Sequence, residues 1–265
     1  MDVPAELAEQ ATALTAFIRP SVALDPADGD GPVPPLATKL GGLPDLPPGA
    51  TWPYASDGTP MWMIGQVNLS ALAERFPGLL PWPTGGALVQ VFTGAVDDTA
   101  TLVHRELQGL RPAVAPPGTD VETEELLIPA ASGCSFDHWL DLPAYEALLG
   151  QLDEPRRVLA QQWLRRFTPA THQVGGSGDW LQDLGYADAW AADHGVPRFG
   201  GLTYSDDADL LQAAAERDER LTRAEGWQLV IQLDTGWGTR LFVCAPLDEA
   251  GLWDLSRLQT VSQCD

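Results

Sequence analysis

The residues best placed to do chemistry fall in two similar settings. In the first, Lys39 sits two before the pair Gly41-Gly42, and a downstream segment reads Ile64-Gly65-Gln66-Val67-Asn68. In the second, His172-Gln173-Val174 leads into Gly175-Gly176, and a downstream segment reads Val230-Ile231-Gln232-Leu233-Asp234, with Trp237 in the turn that follows. Strand side chains alternate from face to face, so Gln66 and Asn68 share one face and Gln232 and Asp234 another, with Val67 and Leu233 opposed to them. Glycine pairs let a backbone take positive φ and come close to a ligand. If the two settings face one cleft, His172 and Asp234 within hydrogen-bond reach would make an acid/base pair. The same residues also suit a plainer task. Gly-Pro loops carry unpaired backbone groups, and buried Gln and Asn amides must be hydrogen-bonded, so each can satisfy the other. Both readings stand at this point.

Two further groups are weaker. Cys134-Ser-Phe-Asp-His138 has half the ligands of a zinc site; a structural site needs four, and Cys244 and Cys264 have no paired neighbours, so no metal is expected. A Cys134–His138 nucleophile pair is a short motif without context. The chain has ten tryptophans, among them Trp52, Trp62, Trp82, Trp180, Trp227 and Trp237, and several border the loops of the two settings. Indoles line sugar or cation sites, but more often fill a core with the N–H bonded locally. The Walker, dinucleotide, zinc-protease and nucleophile-elbow signatures are missing, so no cofactor is expected and common nucleotide chemistry is disfavoured.

Elements must hold these residues. Leu7, Ala11, Leu14 and Ile18 predict a helix over 5–18, ended by Pro20. Residues 25–35 read as a loop, and KLGGLPDLPPGATWPY as irregular backbone. Strands are predicted at 61–69, 85–94, 101–107 and 125–130, with a short helix between the first two capped by Asn68 or Ser70. Residues 143–167 predict two helices, the second starting near Asp153 with a stripe of Leu159, Trp163 and Phe167. Residues 171–182 read as loop and 183–193 as helix. A helix over 206–225 has the clearest pattern in the chain. Residues 227–235 and 239–247 predict a hairpin.

Composition narrows the function. The chain of 265 residues has 37 acidic and 15 basic residues, a net charge of −22. Such a surface repels polyanions and lacks the basic footprint of nucleic-acid binding. It would steer a basic protein partner or a cationic ligand, although solubility alone can explain it. Three scattered cysteines fit a reducing cytoplasm. The acidic start, MDVPAELAEQ, is unlike a signal peptide, and no apolar run reaches membrane-spanning length, so no membrane association is expected.

The sequence KLGGLPDLP, the pair Trp52-Pro53, PMWMIGQVNL, HQVGG at 172–176, WQLVIQLDT and the Trp-Gly turn at 237–238 keep a specific order over about residues 35–257. In this order the chain resembles the YwqG-like family of bacterial proteins. That resemblance implies an α+β fold with a duplicated β-rich core and peripheral helices, and it implies no activity. The chain departs from the family at Thr239, where an acidic residue is usual, and at Ser177-Gly178, where Tyr-Pro is usual.

The sequence therefore predicts one domain over 1–265, with halves at about 35–130 and 168–257. The candidate cleft comprises Lys39, Gly41, Gly42, Gln66, Asn68, His172, Gly175, Gly176, Gln232, Asp234 and Trp237. The expected function is a cytoplasmic non-enzymatic binding or accessory protein of the toxin-neutralising type, engaging a basic partner. The alternative is a hydrolase or isomerase using the His172/Asp234 pair between the halves.

Overall fold

A computed structural model describes residues 2–28, 31–94, 99–136, 142–180, 185–195, 219, 223, 224, 226–236 and 238–264. It is a mixed α+β structure built on a ten-stranded sheet in which every pairing is antiparallel. In chain order the strands are β1 (Ile18–Pro26), β2 (Lys39–Leu40), β3 (Asp45–Leu46), β4 (Trp62–Asn68), β5 (Leu88–Thr93), β6 (Thr99–His104), β7 (Arg111–Pro112), β8 (Glu125–Phe136), β9 (Gln173–Gly175), β10 (Trp227–Asp234), β11 (Thr239–Pro246) and β12 (Gln259–Cys264). β3 and β7 pair apart from the others. The large sheet runs β12-β11-β10-β9-β1-β8-β2-β4-β5-β6. Its long central pair, β1 with β8, thus has four strands on either side.

The sheet curls until its edges meet. Thr101 of β6 and Thr260 of β12 share a hydrogen bond between their hydroxyls. Inside the curl, Val22, Leu24, Val67, Val89, Val91, Leu127, Val174, Ile231, Leu233, Leu241 and Val243 form one buried cluster drawn from both sides of the central pair. β4 and β10 approach so closely that a Cβ on Gly65 would lie 2.7 Å from Leu233 Cδ1. A glycine inside a strand commonly marks such an approach. Both strands carry an irregularity at the same place, Met63/Gly65 against β5 and Leu229/Ile231 against β11. Each bulge offsets the side-chain alternation by one residue. Ile64 and Val67 therefore face the central cluster while Met63 joins an outer one, and Val230 and Leu229 divide in the same way.

The helices are α1 (Ala11–Thr15), α2 (Leu69–Arg75), α3 (Leu142–Gly150), α4 (Glu154–Leu164) and α5 (Gly185–Asp193). Asn68 caps α2, accepting the N–H of Ala71 at 3.0 Å. Asp153 caps α4, accepting the N–H of Arg156 at 3.1 Å, with Pro155 in the first turn. Both caps satisfy donors that a helix start leaves orphaned. α4 buries Ala160, Trp163 and Leu164, while Leu159 and Phe167 are only partly covered.

Several expectations change. The helix predicted over 5–18 is a 3-10 turn at Ala5–Gln10 followed by α1, and Ile18 opens β1 instead of closing a helix. The run Phe17-Ile18-Arg19-Pro20-Ser21-Val22 lacks the amide that a helix would need at Pro20. In β1 that proline lies just outside Ser21–Ala23, the only residues paired with β9. Residues 25 and 26 belong to β1, not to the loop expected over 25–35. The Lys39 and His172 segments, expected as irregular backbone, contain β2, β3 and β9, each two or three residues long. β12 was not foreseen. The helix expected over 206–225 lies almost wholly outside the described residues, as do Trp237 and His138.

Candidate functional site

Lys39, Gln66, Asn68, Gln173, Gln232 and Asp234 alternate with Leu40, Val67, Val174, Ile231 and Leu233 of the central cluster and so face away from it. In the first setting, register places Lys39 opposite Gln66. The Gln66 side chain is fully buried. Its Oε1 accepts the backbone N–H of Asp45 at 3.0 Å, and its Nε2 donates to Ala37 O at 3.1 Å and to Asp45 Oδ2 at 2.7 Å. Lys39 Nζ donates to Leu43 O at 2.8 Å. The backbone N–H of Asn68 donates to Thr38 Oγ1 at 3.1 Å.

The second setting repeats most of these bonds, without the one from the glutamine to the aspartate carboxylate. Register places Gln173 opposite Gln232. Gln232 Oε1 accepts the N–H of Asp179 at 2.8 Å, and its Nε2 donates to Ala170 O at 2.9 Å and to Thr171 O at 3.3 Å. Gln173 Nε2 donates to Ser177 O at 2.6 Å, as Lys39 does to Leu43. The N–H of Asp234 donates to His172 Nδ1 at 3.2 Å, as that of Asn68 does to Thr38. The links to the central pair also agree: Leu24 N–H donates to His172 O and Leu127 N–H to Thr38 O, each at 2.9 Å.

All four glycines have positive φ, 57° and 70° at Gly41 and Gly42, 69° and 76° at Gly175 and Gly176. The requirement is sharpest at Gly176, where a Cβ would lie 2.2 Å from Ser135 Oγ and 2.7 Å from Ser21 Cβ. The Ser135 hydroxyl in turn accepts the N–H of Ser177 at 2.6 Å.

The sites differ in charge. Lys39 is buried and paired with Glu124 at 2.6 Å. In the second setting Arg240 pairs with Asp179 and, at 3.4 Å, with Asp234. The Asp234 carboxylate also accepts the N–H of Gly236 at 2.7 Å. The His172–Asp234 hydrogen bond thus runs from imidazole to backbone amide, while the carboxylate is held by Gly236 and Arg240. Burial lowers the pKa of His172, against a weaker upward pull from Asp234, Glu125 and Asp25. A neutral ring whose Nδ1 accepts a proton carries its own on Nε2.

The two Gly-Gly pairs line different cavities. Gly41 borders one of about 140 Å³ with Ile64, Glu122, Thr123, Glu125 and Asp234. Gly175 and Gly176 border one of about 300 Å³ with Arg19, Leu80 and Trp253. Lys39 and Gly42 border a third, also about 300 Å³. Thr38, Asp45, Asp179 and Arg240 take part in these networks and escaped sequence reading. The shared offset from each Gly-Gly pair was the available signal for the two aspartates.

The other candidates resolve separately. Cys134 is partly buried against the aromatic layer of α3 and α4, and burial drives the Cys244 thiol far above its usual pKa. Trp52, Trp82, Trp180 and Trp227 are buried, Trp52 donating to Met61 O at 2.8 Å and Trp82 to Phe76 O at 2.9 Å. Among the described residues no three His, Cys, Asp or Glu side chains are grouped to hold a metal, and no helix is long and apolar enough to cross a membrane.

Residues 38–242 match the family described as a domain of unknown function, DUF1963. The chain belongs to that family. The matched span starts at Thr38, one residue before Lys39, and ends at Phe242 in β11, so this DUF1963 chain carries both Gly-Gly settings inside its family domain. No curated protein matches it.

Proposed function

We propose that this DUF1963 protein is a non-enzymatic binding or accessory protein of the cytoplasm, of the YwqG-like type, that engages a basic protein partner in the manner of a toxin-neutralising protein. One observation carries the reading. Asp25, Asp120, Glu124 and Glu125 are exposed, with Glu122 and Asp234 half-buried, around the start of β8 beside the Gly41 loop. His172 feels the fields of Asp234, Glu125 and Asp25 together, which puts those three in one neighbourhood. Val121, 44% exposed, adds an apolar element amid the acids. Combined with a net charge of −22, this end of the sheet favours a cationic, partly apolar surface.

The two settings are, on this reading, products of a duplication, with the Gln66 and Gln232 networks serving as scaffold. The matched hydrogen bonds, glycine conformations and bulges support it. The acid/base alternative finds less support, since His172 Nδ1 is engaged by a backbone amide.

The test is affinity capture from the source cell at low and moderate salt, with native mass spectrometry of the eluate. The reading expects a stoichiometric basic protein that is lost as salt rises and is not captured by an Asp120→Asn/Glu122→Gln/Glu125→Gln variant. Bare protein in the eluate, or capture indifferent to both salt and variant, would overturn it.

A further inference from the structure

Two apolar layers cover the sheet away from its central cluster. α3 and α4 pack on Ile18 of β1 and on Cys134 and Phe136 of β8. α5 packs with Trp180 on β10, β11 and β12. A cavity of about 360 Å³ lies between the layers, with Tyr145 and Leu164 of the first and Trp180 of the second in its wall. It is larger than the three cavities beside the Gly-Gly loops and shares no lining residue with them.

Aromatic rings make up much of this wall. Phe136 ends β8, Tyr145 lies on α3, Phe167 belongs to the 3-10 turn Arg165–Phe167 that follows α4, and Trp180 comes after β9. Each ring is braced by a neighbour: Phe136 and Tyr145 by one another at 5.6 Å, Phe167 by Trp163 at 5.0 Å, and Trp180 by Phe242 at 4.1 Å. Phe136 and Phe167 are only half-buried, so the cavity can reach them. Charge on the wall is uneven. Asp179, its acidic residue, is already paired with Arg240. Arg165 is exposed, and among the described residues no carboxylate pairs with it. Its backbone is fixed as the C-cap of α4, with Thr168 Oγ1 donating to its carbonyl at 2.9 Å. Burial, with a lesser push from Glu146, raises the Tyr145 pKa, so that ring stays neutral.

We propose that this cavity binds an aromatic monocarboxylate. The ligand ring packs against the accessible rings of Phe136 and Phe167 in offset or edge-to-face contact. Its carboxylate takes the exposed guanidinium of Arg165, whose fork matches two carboxylate oxygens. One unpaired guanidinium balances one negative charge, and the net charge of −22 around it repels a dianion such as a phosphate more strongly. An aromatic wall alone would also suit an ammonium, which Arg165 disfavours. The volume is that of a small-molecule site, where a few polar groups orient a ligand on apolar walls. The site is separate from the acidic face at the start of β8, so its test leaves the reading of a basic partner untouched.

The experiment titrates the full chain with phenylacetate, 3-phenylpropionate and indole-3-acetate, and with phenylacetamide, phenethylamine and acetate as controls. It follows the melting temperature and the heat of binding up to about 10 mM, the range of weak small-ligand affinity. The aryl acids should raise the melting temperature. Phenylacetamide should bind weaker than phenylacetate by about tenfold or more, the worth of one charge-assisted hydrogen bond. Phenethylamine and acetate should give no response. Arg165→Gln, at an exposed side chain with no ion pair to lose, should fold as the wild type does and bring phenylacetate down to the level of phenylacetamide. Phe167→Leu should weaken every aryl acid while keeping the preference for acid over amide. No response to any aryl acid, binding of the amide or the amine as tight as that of the acid, or undiminished binding by either variant would overturn the proposal.

Discussion

His172 Nδ1 accepts the backbone N–H of Asp234 at 3.2 Å. Thr38 Oγ1 does the same for Asn68 at 3.1 Å. An imidazole and a hydroxyl thus fill one role at corresponding points of two loops, and the only property they need in common is an acceptor atom directed at a strand amide. The role calls for no titration, so the ionisable ring carries a pH dependence that the hydroxyl does not.

That dependence has a definite sign. Burial lowers the folded-state pKa of His172 below its ordinary 6.5. Above that value the ring is neutral in both states. As pH falls below it, the unfolded chain binds a proton that the folded chain resists, so stability declines toward the folded-state pKa. His104 is shifted the same way by burial and contributes in parallel. His172→Thr, which installs the residue of the first setting, should keep the acceptor and lose its share of the decline. The check is a set of urea unfolding curves between about pH 7.5 and 5.5, spanning the imidazole range. The wild type should lose more stability across that interval than the variant.

The Gly-Gly loops make a second, local prediction. Gly176→Ala places a side chain at φ 76° and against Ser21 and Ser135. Left-handed backbone costs an alanine about 1 kcal/mol, and displacing packed neighbours adds to that, so about 2–3 kcal/mol is expected. Gly49→Ala is the control, since φ there is 78° with nothing within 4 Å of the new Cβ. It should cost only the backbone share, about 1 kcal/mol. Thermal unfolding of the two variants side by side checks the difference.

Much of this architecture was legible in the sequence. The hairpin of β10 and β11 stood out because its apolar runs flank a Gly-containing turn, and Asp153 with Pro155 announced α4. Gln66 and Gln232 were recognisable as paired because strand alternation sets them opposite Val67 and Leu233. Other parts were not. β2, β3 and β9 are too short for any periodicity; they exist through long-range pairing, β2 with β4 and β8, β9 with β1 and β10, and β3 with β7. β1 hid behind an apolar stripe that continues helical spacing as far as Ile18, where Pro20 and long-range pairing with β8 prevail over local pattern. Asp45 and Asp179 were passed over because their importance rests on a backbone N–H, which sequence does not display. The acid/base alternative would bring the His172 ring to the Asp234 carboxylate, whereas the ring accepts that residue's backbone N–H.

The most direct test of the account replaces the two glutamines separately, with Gln66→Leu and Gln232→Leu compared by equilibrium urea unfolding. Each substitution strands a backbone N–H, buried at Asp45 and partly buried at Asp179, together with at least one carbonyl. Unsatisfied buried groups of this kind cost about 1–3 kcal/mol each. If both glutamines are scaffold, both variants should lose about 3 kcal/mol, by similar amounts and with unchanged denaturant dependence. A variant at either position as stable as the wild type would contradict the account.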